Sequence, residues 1–492
     1  MKTGLLLFLL IAMADSLFPQ APATYLAKAS LKNKFGCIDP QGNEVIQIIY
    51  NDIGNWGNNR IAVNKGSRII NHQRQGGQWG FCNEKGELVI AITYDEVQTF
   101  SEGMAAVKRN NKWGFIDSAG NLLIPFQFDY AGLFREGHCI VANNEKYGFI
   151  DRVGKIAIPL TFDDLNDFNG GVASAFIGQR GATEWEEKKG FYCLIDSNGQ
   201  WLTNENYLSI ADFHDGLARV EIANAENSDN NKFGFINRNG ILVVPATYDG
   251  AGNFCEGMAV IAYRHGPKHN ILLTYHTYGY INREGKEIIP AKYIRADNFS
   301  GGKAVVGLIK KGEEPYTQKT QGNLTFIDEE NQPQYGLIDK EGRYILAPDW
   351  ALLAVIDNDL LLAQRDRLLG KGVITIKGET RVPLRYSNIE YAGNNILVAD
   401  NGASKRTTFI MDIHNRGLLT IDHNTSVMRY ELGMLHIRTD NNRKSGFINL
   451  KGQLVIPAKY DRIYRFEPTA PEGSRLYNVP LFIPATRSVF DQ

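Results

Sequence analysis

Acidic residues recur through this chain at a regular spacing, and carboxylates are groups that general acid catalysis and cation binding both use. Asp117, Asp151, Asp196 and Asp339 each precede a glycine by three residues, but asparagine takes the same place at positions 83, 237, 282 and 449. A general acid would not tolerate that amide, whereas Asp and Asn both accept hydrogen bonds from the backbone of a turn. The pattern therefore predicts repeated tight turns rather than a row of catalytic acids.

Two further sets of carboxylates recur between these turns. One is an aspartate after an aromatic residue, as in Tyr94-Asp95 and Phe128-Asp129, and the other is the glutamate of a Glu-Gly pair, as at Glu102. Aligned on one face of a repeat protein, they would bind cations or sugars. The alternative is that they cap turns or pair with Lys and Arg of the neighbouring unit, and we expect this structural role.

Four residues in inserted segments are candidates for binding a ligand. His265, His269 and His276 form a histidine cluster, but the intervening Gly266-Pro267 pair prevents a helix that would place two of them on one face. A metal site needs three or four converging ligands, so we expect an exposed loop without metal or cofactor. Trp185 is flanked by glutamates and would stack on a sugar or an organic cation, or fold back on its own loop.

The elements that position these residues are β-strands joined by the Asp-x-x-Gly turns. Between Trp113 and Pro125, apolar side chains alternate onto both faces of the first strand, which predicts a strand buried between stacked layers. Gly114 permits the close approach of a neighbouring backbone or ring. Gly120 is expected in the left-handed conformation that closes a hairpin with a bulge.

Copies of this unit recur along the chain with a basic period set by the interval from Trp79 to Trp113 and from Trp113 to Tyr147. Each unit predicts three strands and a short fourth. We assign a structural rather than a binding role to the repeated aromatic and glycine residues, which include Trp79, Gly80, Trp113, Gly114, Tyr147, Gly148, Phe233, Gly234, Tyr278, Gly279, Tyr335 and Gly336.

The full pattern is aromatic-Gly-[Phe/Tyr]-Ile-[Asp/Asn]-x-x-Gly-x-x-[Val/Ile]-Ile-Pro, then Tyr-Asp, then Phe-x-Glu-Gly-x-Ala-x-Val. It resembles the bacterial WG-repeat family, also called KWG repeats, over about residues 31 to 466. Tyr, Phe or Ser often replaces the Trp, and residues 350 to 444 hold only faint copies. The resemblance implies how the chain is organised and implies no activity.

These observations predict an all-β fold, a tandem array of three- to four-stranded antiparallel β-meanders stacked face to face, either open and β-solenoid-like or propeller-like. Nine clear units and two degenerate ones exceed the ~4 to 8 blades of a usual propeller. That number favours an open or only partly closed array, or two consecutive rings meeting near residue 350. The predicted segments are WG-type repeats at 31–348, degenerate repeats at 349–444, a final repeat at 445–466 and a C-terminal tail at 467–492.

The N-terminus predicts export. An apolar run from Leu5 to Ile11 follows Lys2, and Ala12-Met13-Ala14 has the form of a signal-peptidase site. We therefore expect a signal peptide over 1–14, with cleavage as late as residue 23, and a periplasmic, outer-envelope or secreted protein. No later stretch looks transmembrane. Five cysteines without paired spacing do not indicate a disulfide framework, and we expect Cys37, Cys82 and Cys193, which fall at strand positions, to be small buried hydrophobes.

Composition narrows the function to a class. The formal net charge is -1, with 53 basic and 54 acidic residues, which gives no electrostatic reason to expect nucleic acid as a partner. Catalytic sequence motifs are missing, although that does not exclude an enzyme. The favoured hypothesis is an exported noncatalytic repeat scaffold that binds an unknown protein or glycan. The alternatives are a glycan-active enzyme on a propeller-like scaffold and a structural or assembly spacer of the cell envelope.

Overall fold

The alternating apolar residues of each repeat form short antiparallel sheets, and eleven such sheets stand in a ring as the blades of a β-propeller. This computed structural model describes residues 24–71, 73–179, 189–223, 231–266, 274–309, 316–321, 324–357, 359–402 and 407–469. These ranges contain no helix, and therefore no helix that could cross a membrane. The all-β prediction is confirmed.

Blades are numbered along the chain, and each contains four consecutive strands unless stated otherwise. Blade 1 contains β47 (Arg462–Pro468), β1 (Tyr25–Leu31), β2 (Lys34–Ile38) and β3 (Glu44–Tyr50). Blade 2 contains β4 (Asp52–Gly57), β5 (Arg60–Lys65), β8 (Gln78–Asn83) and β9 (Leu88–Tyr94), with the inserted hairpin β6 (Arg68–Ile70) and β7 (Gln73–Gln75). Blade 3 contains β10 (Glu96–Val97), β11 (Met104–Arg109), β12 (Lys112–Asp117) and β13 (Leu122–Phe128). Blade 4 contains β14 (Tyr130–Arg135), β15 (His138–Asn143), β16 (Lys146–Ile150) and β17 (Ile156–Phe162).

Blade 5 has three strands, β18 (Asp164–Leu165), β19 (Val172–Gln179) and β20 (Lys189–Asp196). Blade 6 contains β21 (Ser209–His214), β22 (Leu217–Ile222), β23 (Lys232–Asn237) and β24 (Leu242–Tyr248). Blade 7 contains β25 (Gly250–Ala251), β26 (Met258–His265), β27 (Tyr275–Asn282) and β28 (Glu287–Tyr293). Blade 8 contains β29 (Arg295–Ala296), β30 (Lys303–Leu308), β33 (Gln334–Asp339) and β34 (Tyr344–Trp350), with the inserted hairpin β31 (Tyr316–Gln321) and β32 (Leu324–Glu330).

Blade 9 contains β35 (Leu352–Asp357), β36 (Leu360–Gln364), β37 (Lys371–Thr375) and β38 (Thr380–Tyr386). Blade 10 contains β39 (Asn388–Gly393), β40 (Ile396–Asp400), β41 (Thr408–Asp412) and β42 (Gly417–Ile421). Blade 11 contains β43 (Thr425–Glu431), β44 (Met434–Thr439), β45 (Ser445–Asn449) and β46 (Leu454–Tyr460). The region predicted to hold degenerate repeats thus contains complete four-stranded blades.

The third strand of each blade is buried on both sides, as the sequence predicts. In β12, Trp113 and Phe115 join the cluster shared with blade 4, whereas Ile116 joins the cluster shared with blade 2. Phe115 meets Phe134 of the next blade edge-on, with ring centroids 5.2 Å apart. Edge-on aromatic contact contributes beyond the burial of area alone. The same kind of contact recurs between blades at Phe81–Phe100, Phe235–Phe254 and Tyr280–Phe299.

The first and last described strands close the ring. Strand β1 pairs with β47, placing Ala27 opposite Phe466 and Ala29 opposite Ile463. A cluster of buried side chains, including Phe447, joins blade 11 to blade 1, so that each of the eleven junctions between neighbouring blades has its own core. The repeat-array fold is confirmed in its propeller-like form. The preference for an open array or two rings is wrong, because long-range pairing of the two chain ends leaves no local sequence signal.

The glycine after the aromatic residue is required by a bulge in the return strand of its own blade. Trp113 lies opposite Phe128, but Phe115 lies opposite Ile124, so the fourth strand carries two extra residues over this interval. A Cβ on Gly114 would lie 2.7 Å from the Ile124 carbonyl oxygen and 3.0 Å from the Phe126 nitrogen. The expected close approach is confirmed, and its partner is the bulged backbone.

The Asp-x-x-Gly turn has its predicted chemistry. Backbone N–H groups of Ala119 and Asn121 both donate to Asp117 Oδ1 at 2.9 Å. Gly120 has a φ of 88°, in the left-handed region, and lies against Ile90 of the preceding blade. Hydrogen bonds from Asn121 to the carboxylate lower the pKa of Asp117. These acids therefore build turns and junctions between blades.

Candidate functional site

The aspartate after each aromatic residue holds two neighbouring blades together. Asp129 accepts hydrogen bonds from Lys112 Nζ of blade 3 at 2.6 Å and from the Asn144 backbone N–H of blade 4 at 2.9 Å. The bond from Lys112 holds the pKa of Asp129 below its usual range. Equivalent Lys-to-Asp pairs are Lys146–Asp163, Lys232–Asp249 and Lys444–Asp461. The structural role predicted for this set is the one the contacts show.

The Glu-Gly glutamates make a second series of ties between blades. Glu256 of blade 7 accepts hydrogen bonds from the backbone N–H groups of Gly301 at 2.6 Å and Gly302 at 2.9 Å in blade 8. Lys340 of blade 8 approaches the same carboxylate at 3.4 Å. The backbone bond from Gly302 is the largest cause of the lowered pKa of Glu256. Glu102 and Glu136 make corresponding bonds to the blade that follows each of them.

Two of the four predicted binding residues lie within the described ranges. His265 and His276 stand on β26 and β27 rather than in a loop, and they occupy diagonal positions because His265 pairs with Tyr275 and Arg264 pairs with His276. Their side chains therefore project from opposite faces of the hairpin. His265 Nε2 lies 2.7 Å from Thr277 Oγ1, and burial lowers the pKa of His276. A binding role for these two residues stays a prediction.

Trp185 and His269 lie outside the described residues, as does the predicted signal peptide. Within the described ranges, no group of three or more His, Cys, Asp or Glu side chains is placed to hold a metal ion. Cys37, Cys82, Cys139 and Cys193 are free thiols in the blade cores, and Cys255 is free and half-buried. Burial raises the pKa of the Cys193 thiol to about 11. Cys37, Cys82 and Cys193 fit their predicted role as small buried apolar residues.

Blade 10 departs from the repeat at the two positions that define it. Thr408 lies opposite Ile421, where Trp113 lies opposite Phe128 in blade 3, and Phe409 follows in place of the glycine. Lys371 and Ser445 replace the aromatic residue in blades 9 and 11, but each is still followed by glycine. Pairing from Thr408 through Ile410 runs without the two-residue bulge, so Phe409 meets no bulged backbone.

A cavity of about 220 Å³ lies between blades 10 and 11, at the place where the missing aromatic ring would be. We call it the blade 10–11 cleft. Polar side chains supply most of its lining, which comprises Asn388, Glu390, Val398, Ala399, Asp400, Thr408, His423, Thr425, Ser426, Val427 and Asp440. A threonine in place of a large ring removes volume from a packed junction, and the remaining polar groups make the space suitable for a polar ligand.

Strand pairing shows which lining residues form the wall supplied by blade 10. Asn388 pairs with Asp400 across β39 and β40, and Asp400 pairs with Thr408 across β40 and β41, so the three side chains share one face of blade 10. Asp400 Oδ1 accepts a hydrogen bond from the Gly402 N–H at 3.0 Å. Thr408 is only 6% exposed, and its hydroxyl makes no hydrogen bond within the described part of the chain. Because Thr408 lines the cleft, its hydroxyl is free to bond to a ligand or to water there.

Two carboxylates also line the cleft. Glu390 Oε1 accepts a hydrogen bond from Asn388 Nδ2 at 2.9 Å, and Asp440 Oδ1 accepts one from Ser426 Oγ at 3.2 Å. Unlike the repeated acids at the blade junctions, Glu390 and Asp440 form no ion pair with any other described residue. The cleft can therefore accept hydrogen bonds and positive charge from a ligand.

Sequence reasoning did not find this cleft, because it sought function in the insertions between repeats. A signal was present in Thr408-Phe409, where the framework aromatic and its glycine are both replaced within one unit. That signal is visible only once β41 is aligned with the third strand of the other blades, and the faint repeats around it obscure the alignment.

Comparisons with known proteins agree with the repeated framework. The model of the WG containing repeat matches residues 35–68, 79–113, 113–147, 147–179, 233–262, 278–308 and 446–467. These segments include parts of blades 1 to 8 and 11, and none of them contains a residue that lines the blade 10–11 cleft. No curated protein matches the chain.

Several solved structures share a remote likeness. The crystal structure of a eukaryotic initiation factor is 11% identical with a TM-score of 0.38, covering 82% of this chain and 96% of that one. The structure of a tricorn protease is 9% identical with a TM-score of 0.27, and the match covers 89% of this chain and 46% of that one. The structure of a puromycin hydrolase is 9% identical with a TM-score of 0.24, and the match covers 73% of this chain and 58% of that one. Likenesses at these scores carry no functional argument. The seven matched segments, by contrast, show that the chain contains WG repeats.

Proposed function

We propose that this protein is an exported, noncatalytic binding scaffold of bacterial origin, and that a glycan or a protein segment enters its blade 10–11 cleft. The observation that carries the proposal is a polar cavity of about 220 Å³ at the position of the missing ring, where Thr408 is 6% exposed and its hydroxyl has no hydrogen-bond partner among the described residues. The repeated acids elsewhere are occupied by contacts between blades, so they supply the scaffold. Glu390 and Asp440 form no such contact within the described ranges, and both line the cleft.

The repeat framework explains why binding would sit at a departure from it. Each regular junction is filled by an aromatic ring, as at Trp113, and tied by a Lys-to-Asp bond such as Lys112 to Asp129. Thr407 and Thr408 stand where that lysine and that ring would be in blade 10. A rigid ring of ordinary blades then holds the cleft open, which reduces the ordering that a ligand must impose.

Thr408→Phe tests this function because it restores the ring found at Phe35 and Phe233 and fills the cleft. The full chain would be tested against envelope extracts and glycan arrays, with Thr420→Phe as the matched control, since Thr420 is exposed on β42 of the same blade. We expect Thr408→Phe to abolish binding and Thr420→Phe to retain it. Binding by neither the native chain nor the control would refute the proposal.

Export is tested separately by fractionating cells that produce the full chain. We expect the mature protein outside the cytoplasm, with an N-terminus between residues 15 and 24 as the residues before them predict. Retention in the cytoplasm with Met1 still attached would remove export from the proposed function and leave the cleft as a binding site.

A further inference from the structure

A second concavity adjoins the blade 10–11 cleft. It has a volume of about 410 Å³ and is lined by Ser426, Met428, Arg438, Thr439, Asp440 and Arg443. Ser426 and Asp440 line both spaces, so the cleft and this concavity meet at these two side chains. Both spaces therefore belong to one surface at the first half of blade 11. Their volumes together fall within the ~300–1,000 Å³ typical of small-molecule sites.

The two spaces differ in their charged side chains, apart from Asp440, which lines both. Arg438 and Arg443 line the second concavity, and neither pairs with a carboxylate among the described residues. Arg438 Nε donates instead to the Arg443 carbonyl oxygen at 3.3 Å, which brings the two residues together. Guanidinium groups without a carboxylate partner are well suited to a phosphate or carboxylate, because their N–H donors match its oxygens.

The cleft supplies the complementary negative end. Glu390 and Asp440 have no cationic partner in the described ranges, and Thr408, which is 6% exposed and has no side-chain hydrogen bond in those ranges, lines the same cleft independently of them. Thr425 and Ser426 add hydroxyl groups to the wall between the acidic and basic ends. An arrangement of unpaired acids, several hydroxyls and unpaired arginines suits a dipolar molecule with hydroxyl groups of its own.

We propose that the cleft and the adjoining concavity form one dipolar site for an amino sugar that bears an anionic group. The protonated amine lies at Glu390 and Asp440, the anion lies at Arg438 and Arg443, and sugar hydroxyls bond to the threonine and serine side chains. This inference rests on the proposed function and adds the ligand's chemistry to it. A neutral glycan would leave both pairs of charges without partners, and a simple amino acid would leave the hydroxyl groups unused.

Calorimetric titration of the full chain with three probes tests this assignment. Glucosamine 6-phosphate carries both charges, N-acetylglucosamine 6-phosphate lacks the cation, and glucosamine lacks the anion. We expect glucosamine 6-phosphate to bind at least tenfold more tightly than either of the others. Equal affinity for the N-acetylated probe would overturn the acidic end of the site, and equal affinity for glucosamine would overturn the basic end.

Variants assign the two ends to their residues. Glu390→Gln should weaken glucosamine 6-phosphate about tenfold while leaving the N-acetylated probe unchanged, whereas Arg443→Gln should weaken both phosphorylated probes. Arg68→Gln, on the exposed hairpin of blade 2, is the charge-matched control and should change neither. An equal effect of Arg68→Gln and Arg443→Gln would overturn a local anion site.

The outcomes separate this inference from the proposed function. If none of the three probes binds, but the chain still captures an envelope component in a manner abolished by Thr408→Phe, the amino-sugar assignment is wrong and the binding scaffold stands. If no binding of any kind is sensitive to Thr408→Phe, the proposed function itself fails.

Discussion

Gly148→Ala should destabilise the ring strongly, because the methyl group would collide with backbone rather than with a movable side chain. A Cβ at Gly148 would lie 2.5 Å from the Ile158 carbonyl oxygen and 2.7 Å from the Pro159 carbonyl oxygen. Ordinary contact begins near 3.4 Å, so the bulged return strand must move by about 1 Å. Overpacking of this kind typically costs about 1–3 kcal/mol.

Gly132→Ala in the same blade is the matched control. Its Cβ would find its nearest neighbour, the Ile140 carbonyl oxygen, at 3.6 Å. Replacing glycine without strain stabilises by about 0.4–1 kcal/mol through the unfolded chain. Urea denaturation followed by tryptophan fluorescence should therefore move the midpoint down for Gly148→Ala and leave it level or raised for Gly132→Ala. Equal midpoints for the two variants would refute the bulge as the reason for the repeated glycine.

Three further predictions concern the junctions between blades. Glu256→Gln removes a carboxylate charge that accepts two backbone hydrogen bonds, and should lower the free energy of unfolding by about 1 kcal/mol near pH 7. Because the pKa of Glu256 is lowered in the folded chain, this difference from the native chain should vanish as the pH falls below the usual pKa range of a glutamate. Burial lowers the pKa of His436 from 6.5 to about 3, so between these pH values the folded chain binds fewer protons than the unfolded chain. The free energy of unfolding should therefore fall by up to about 1.4 kcal/mol per pH unit below 6.5. His436→Phe should flatten this pH dependence of stability, and an unchanged slope would contradict the role of His436. Ile463→Ala in the closing strand should lower stability by about 2–5 kcal/mol, whereas Arg465→Ala on the same strand is exposed and should shift the thermal midpoint little.

The strands and turns were predictable because their causes are local. Asp117 and Gly120 predict the turn from within four residues, and the apolar residues on both faces of β12 predict that the strand is buried on both sides. The count of eleven units followed from the same pattern. Two turns depart from it, since Thr375 opens that of blade 9 and Asn415, with a φ of 62°, closes that of blade 10.

Closure was not predictable because it depends on residues at opposite ends of the chain. Ala29 and Ile463 are paired across the ring, and neither residue carries a local feature that distinguishes a closing strand from an ordinary one. The repeat unit as read from the sequence also begins at its third strand. With the unit divided in this way, the sequence does not show that residues 462–468 supply the first strand of blade 1.

The candidate site illustrates the same limit. The repeated aromatic and acidic residues were assigned to the scaffold, so a ligand site was expected only in the insertions between repeats. The cleft arises instead from a framework position, where Thr408 replaces a ring and Phe409 replaces a glycine without a clash because the return strand lacks its bulge. Only the paired register of β41 and β42 shows that the two substitutions belong together.

Hydrogen–deuterium exchange with and without a bound envelope component would test most directly that function lies in the blade 10–11 cleft. We predict that binding slows exchange in residues 388–400 of blade 10 and 423–440 of blade 11, with the regular blades 3 and 4 unchanged. Slower exchange confined to the turns of blades 3 and 4, with none in the cleft, would contradict the account.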